Sequence, residues 1–290
     1  MNMARSRRSR KRRSRSKSNI GAFATILGAL AVLAILVGAG VFLFLNTEKE
    51  IALNVDDLCP NKGSRGTVAV LLDTTDELAA VTKSEVRESI LNMQRELPRF
   101  YRASVYTFDE KGLSDEPLAS VCNPGSLNQM DDLARQGLTA NPALINRKFK
   151  EFEDKISSAI SSVFKQKFEA KQSPILASLQ NLGASLPRPV DIDDEKYLAG
   201  RNKVILVTDF LEHTEVFSNY RSGLNMTAFA NSRATEKFGK SYKDIDLNVL
   251  LVRRNIEGFA TIQLAQFWAQ IFKSEFKSDI ISLKILSGEI

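Results

Sequence analysis

The chain has 290 residues, 43% of them hydrophobic, enough for one large or two small domains with a sizeable core. Its net charge of +6 misleads, because nine of the forty Lys and Arg lie between Arg5 and Lys17 and no Asp or Glu precedes Glu48. Beyond that block 31 basic residues face 34 acidic ones, which excludes a broadly basic, nucleic-acid-binding body.

The basic block at residues 1–19 is expected to lie in the cytoplasm as a topology signal and to touch anionic lipid headgroups; a nucleic-acid arm is the alternative. Residues 20–45 then run for 26 positions without a charge, about 39 Å as a helix, longer than a hydrocarbon core of roughly 30 Å. The run predicts a transmembrane helix. It exceeds the apolar run of a cleavable signal peptide, about 7 to 15 residues, so retention as an anchor is expected. Lys and Arg stay on the cytoplasmic side. The expected location is therefore the cell membrane, single-pass, with the N-terminus cytoplasmic and residues 46–290 outside. Within the run, Ala24 with Gly28 and Ala34 with Gly38 have the spacing that lets two helices approach, the sequence basis for a homo-oligomer.

Residues 46–66 read as a polar linker with Pro60, Gly63 and Gly66. The only cysteines are Cys59 and Cys122; outside the cytoplasm such a pair is expected to form a disulfide. Two buried thiols would be expected if the orientation were inverted.

Residues 67–72, Thr-Val-Ala-Val-Leu-Leu, suit a strand buried on both faces of a parallel sheet. Five oxygen-bearing side chains follow: Asp73, Thr74, Thr75, Asp76 and Glu77. In an open α/β sheet, ligands gather at this carboxyl end. Oxygen donors of this kind suit a hard cation, Mg²⁺ or Ca²⁺. Residues 82–97 predict a helix through Val86, Ile90, Met93 and Leu97, stopped by Pro98, and residues 104–108 a second strand. Strand, helix, strand opens a βαβ unit.

Residues 109–142 are irregular apart from a short strand at 118–122. Phe149, Phe152, Ile156, Ala159, Val163 and Phe168 then predict an amphipathic helix whose apolar stripe is expected to cover the sheet, a partner helix being the alternative. Ser173-Pro174-Ile175 reads as a helix start, with Ser173 at the cap and its hydroxyl free for a ligand. Residues 203–208 repeat the opening logic, an apolar strand delivering Asp209 at its end. A helix at 228–238, a strand at 247–252, a helix at 261–272 carrying Trp268 and a strand at 280–286 complete the chain.

Asp73, Thr75, Ser173 and Asp209, in that order at strand and helix mouths, resemble the von Willebrand factor A domain and its metal-ion-dependent adhesion site. That site uses Asp-x-Ser-x-Ser after the first strand, a Thr from a later loop and an Asp after the fourth strand. The resemblance covers residues 67–286 and implies a doubly wound, mostly parallel α/β sheet over residues 67–290. It also implies one Mg²⁺ or Ca²⁺ on Asp73, Thr75, Ser173 and Asp209, with a protein partner completing the coordination. Glu77 stands where the family has its second Ser, so it either joins the metal ligands or turns away.

The resulting expectation is a membrane-anchored, non-enzymatic binding module for a protein partner. The alternative is a metal-dependent phosphohydrolase or nuclease on the same kind of sheet, for which Asp76 and Glu212 could be recruited. His213, the only histidine, is expected on a surface loop; its other reading is a general base.

Overall fold

The computed structural model describes residues 20–46, 51–129, 141–166, 170–193, 196–240, 242 and 245–289. The chain divides into two compact units, Met1–Glu50 and Ile51–Ile290. In the first, helix α1 (Ile20–Asn46) has no charged residue along its 27 positions. Side chains are described only for residues 26–42, seventeen positions, and among the described residues no helix is long and apolar enough to cross a membrane. The transmembrane helix expected at 20–45 is therefore not found among these residues. The basic tail lies outside the described residues, as does Phe168.

The second unit is a mixed α/β fold around a mostly parallel sheet. Its strands are β1 (Thr67–Asp73), β2 (Arg102–Asp109), β3 (Gly112–Leu113), β4 (Ala119–Cys122), β5 (Asn202–Thr208), β6 (Ile245–Arg253) and β7 (Ile280–Glu289). The order is β3-β2-β1-β5-β6-β7, with β4 also pairing with β2. β1, β2, β5, β6 and β7 run parallel, and the two short strands join β2 antiparallel.

All seven residues of β1 are buried, the first six as its uncharged run requires. Alternate side chains leave opposite faces of a strand. Val68, Val70 and Leu72 pack with α2 (Ala80–Glu96) and α3 (Pro142–Val163) through Val86, Ile90, Phe152 and Ile156. Ala69 and Leu71 pack on the other face with Leu176 and Leu179 of α4 (Ile175–Ser185) and with Trp268 and Ile271 of the later helix Thr261–Ser274. α2 ends where Leu97 turns extended ahead of Pro98, whose ring disfavours a helical residue before it. α3 starts earlier than its apolar stripe, because the Asn141 side chain accepts from the amides of Ala143 and Leu144 at 3.0 and 3.3 Å.

Three expectations change. The helix expected at 228–238 is broken into α6 (Met226–Ala230) and α7 (Ala234–Lys237), preceded by the short α5 (Asn219–Ser222). Ser232 causes the break: its hydroxyl donates to the Phe229 carbonyl at 2.6 Å and accepts from the Ala234 amide at 3.2 Å, replacing helix bonds. The compact unit begins at Ile51, so most of the expected linker belongs to it. Leu58 and Cys59 are buried, Cys59 is bonded to Cys122, and Asp57 pairs with Arg102 at 3.1 Å. Ser173 is not the helix cap either; α4 starts at Ile175 with Pro174 before it. The remaining helix, Thr261–Ser274, is α8.

Candidate functional site

The chain leaves β1 toward β2 on one side and returns to β5 on the other, so the loops after β1 and β5 part and open a crevice at their carboxyl ends. Leu72 is level with Val207, which puts Asp73 beside Thr208 and one residue short of Asp209. Asp73 is nearly inaccessible and fully engaged. Its Oδ1 accepts from the Thr75 amide at 3.0 Å and the Thr75 hydroxyl at 2.6 Å, and its Oδ2 accepts from the Thr208 hydroxyl at 2.8 Å. Thr74 donates to the Phe108 carbonyl at 2.7 Å and ties this loop to β2.

Asp209 is aimed by the turn that follows it. Phe210, buried, adopts φ 60, a conformation that costs a bulky residue about 1–3 kcal/mol. The surroundings hold it there: its amide donates to Thr208 Oγ1 at 3.1 Å, its carbonyl accepts from Trp268 Nε1 at 2.6 Å, and its ring stacks on Trp268 at 5.5 Å. Asp209 Oδ1 accepts from the Leu211 amide at 2.9 Å. Three residues on, the buried Glu212 accepts from the Leu176 amide at 2.9 Å and the Thr214 hydroxyl at 3.0 Å, and so caps α4.

Burial raises the Asp73 carboxyl above its ordinary value, against the bonds from Thr75 and Thr208. Burial, then the nearby Asp73 charge, raises the Asp209 carboxyl, and the Arg254 guanidinium 2.5 Å away works against both and keeps it ionised. Burial pushes Glu212 up to about 8, opposed first by the Leu176 amide. Tyr220 is raised by burial and then by the charges of Asp209 and Asp73.

A cation already stands in this crevice. Arg254, one residue past β6, lies with Nε 2.5 Å from Asp209 Oδ2 and with Nη2 against Asp76 Oδ2. These are charge contacts, since neither N–H is directed along a hydrogen bond. Burial lowers the guanidinium from its usual value, and the charge of Asp73 works the other way.

Asp73, Thr75 and Asp209 are thus brought together, and Glu77 is not among them. Its side chain is half exposed and pairs with Lys83 at 3.2 Å. Ser173 is buried with a hydroxyl that has no partner, and its amide and carbonyl pair with His213 at 3.0 Å each. His213 directs Nδ1 to Ser218 Oγ at 2.8 Å rather than to Asp209.

The donors are all oxygens and Ser173 has one to spare, as a hard cation would want. The space is the obstacle. A cation on Asp209 Oδ2 would sit about 2.0–2.6 Å from it, where Arg254 Nε already lies at 2.5 Å. With Arg254 seated, the residues present do not fit a divalent ion on Asp209.

Two participants escaped sequence reasoning. Thr208 looked like the last β-branched residue of a strand, although a hydroxyl directly before Asp209 was a usable signal. Arg254 required the rule used for Asp73 and Asp209, a charge at a strand mouth, to be applied to the opposite sign.

Neither a protein-family profile nor a curated protein matches the sequence. Among solved structures, the chain is similar to a von Willebrand factor type A protein from Catenulispora acidiphila at 10% identity and TM-score 0.39, over 77% of this chain and 39% of that one. Proximal thread matrix protein 1 from the mussel byssus, with a zinc-occupied MIDAS motif, is similar at 13% identity and TM-score 0.35, over 78% and 42%. The minor pilin PilB of Streptococcus sanguinis is similar at 10% identity and TM-score 0.40, over 79% and 58%. The chain spans about two fifths of the length of the first two. Likeness at this level says nothing about ligands.

Proposed function

We propose that this chain is a single-pass membrane protein that presents a von Willebrand factor A-like domain outside the cytoplasm for protein–protein binding or complex assembly. Helix α1 is the anchor in this reading. Its 27 positions without a charge support it, as do Ile26, Leu30, Leu33 and Phe42, whose apolar side chains stand out from the helix. The nine basic residues before it support a cytoplasmic N-terminus.

The observation that carries the binding role is the meeting of Asp73, Thr208, Asp209 and Arg254 at the carboxyl ends of β1, β5 and β6. Here the sheet spends buried polar groups and a strained Phe210 on holding loops rather than on exposing a nucleophile. Exposed apolar groups stand on the same side. Tyr220 and Ile262 are 47% and 63% exposed, and the Tyr220 ring lies 5.9 Å from that of Phe259. A partner docks on this rim, with the charged crevice beneath it fixing the loops that carry it. The Mg²⁺ or Ca²⁺ anticipated on Asp73, Thr75, Ser173 and Asp209 has no part in the reading, because Arg254 stands against Asp209.

The test is photo-crosslinking in native membranes. A photoreactive residue at Tyr220 or Ile262 should capture one discrete partner, and the same residue at Leu198, exposed before β5 at the opposite edge, should not. Equal capture at both edges, or none at the first, would remove the assignment of this face.

A further inference from the structure

The sequence resemblance calls for a metal at the carboxyl edge, and the structure puts a side chain there. Three strand ends contribute. Asp76 comes from the loop after β1, Asp209 from the end of β5, and Arg254 from the end of β6, which is separated from β1 by β5. Arg254 therefore reaches across β5 to the β1 loop. A guanidinium suits this because it is planar, weakly hydrated and able to face two carboxylates at once, whereas a divalent ion must gather six or more oxygens around a point.

The neighbours are already committed in the same sense. Thr75 spends its hydroxyl hydrogen on Asp73, Thr208 spends its own on the other oxygen of Asp73, and Glu77 is held by Lys83. Arg254 is itself only 16% exposed, so its charge is compensated by these carboxylates rather than by solvent.

We infer that Arg254 is the resident cation of this site: its guanidinium neutralises Asp76 and Asp209 and ties the β1, β5 and β6 loops together, so the domain is ordered without Mg²⁺ or Ca²⁺ and takes up a divalent ion only when the arginine is removed. The inference rests on reading this edge as the functional face. It has its own readouts, metal uptake and melting, and can fail while partner capture stands.

The experiment uses the full chain in detergent, with the fluorescence of Trp268, the only tryptophan, stacked on Phe210 beside Asp209, reporting the melt. For the parent, chelator and millimolar Mg²⁺, Ca²⁺ or Mn²⁺ should give the same Tm, and calorimetry should show no uptake. Arg254→Gln in chelator leaves the buried Asp209 and the half-exposed Asp76 uncompensated and should melt lower by about 10 °C. Millimolar metal should restore most of that loss, with uptake now measurable. Adding Asp209→Asn to Arg254→Gln should recover stability in chelator and abolish the metal response, a coupling that a double-mutant cycle reads directly. If Arg254→Gln does not fold, the double variant still decides, since only charge compensation predicts that it folds. The inference is overturned if the parent gains as much Tm from metal as Arg254→Gln does. It is equally overturned if Arg254→Gln melts like the parent and ignores metal, or if Asp209→Asn rescues nothing.

Discussion

Thr208 donates its hydroxyl hydrogen to Asp73 Oδ2 at 2.8 Å while accepting from the Phe210 amide at 3.1 Å, so one side chain joins the ends of β1 and β5. Thr208→Val keeps the β-branched shape and deletes both bonds. A buried carboxylate oxygen and a buried amide each lose a partner, at about 1–3 kcal/mol for each group left unsatisfied. Urea denaturation of the variant should show a loss of about 2–6 kcal/mol for the two groups; a change under about 0.5 kcal/mol, the usual scatter of neutral substitutions, would mean the bond is not made.

Glu212 should give stability a pH dependence opposite to that of an ordinary ion-paired carboxylate. Its folded pKa is raised from 4.5 to about 8 by burial, so between those values the folded protein holds a proton that the unfolded chain has released. Stability is then full below about pH 4.5, falls as pH rises toward 8 and is flat above it, by an amount of order a few kcal/mol. Glu212→Gln keeps an acceptor for the Leu176 amide, so its unfolding free energy should fall less steeply over this window and exceed the parent's above pH 8. Parallel pH profiles for the two proteins would show that the carboxyl is solvated.

The bond between Cys59 and Cys122 closes a separation of 63 residues and holds the segment from Ile51 against β4. Loop-closure entropy sets its contribution at about 4 kcal/mol. Replacing both cysteines by serine should lower unfolding free energy by about that much, and reductant should do the same to the parent and nothing to the variant. A loss below about 1 kcal/mol would mean that the buried Leu58 and the Asp57–Arg102 pair hold the segment alone.

Membrane topology is open to a direct check. A reporter active only in the cytoplasm, fused after Ile290, should be silent, and one fused before Ile20 should be active. The reverse pattern would place the disulfide in a reducing compartment and the domain inside.

Much of the fold was legible along the chain because its signals are short-range. Six buried residues in β1 follow from an uncharged run, α2 from apolar residues three and four apart, and the stop at Leu97 from Pro98. The nearness of Asp73 and Thr75 is equally local, two residues apart, although along the chain it reads as a shared metal rather than as the 2.6 Å hydrogen bond between them. The broken helix at 226–237 was misread because the hydroxyl of Ser232 competes with backbone bonds in a way that spacing does not record.

The amino-acid sequence by itself determined where oxygen-bearing side chains stand relative to strand ends, and that is as far as local pattern reaches. Whether those oxygens meet a metal or an arginine was decided by strand order. β6 lies beside β5, and only that adjacency carries Arg254 to Asp209 and Asp76. In the same way Glu77 reads as a ligand by its spacing from Asp73, yet the loop turns it toward Lys83 on the first turn of α2. Charge compensation in a buried crevice acts through space over a few ångströms, and distance in space is what a chain of residues does not state.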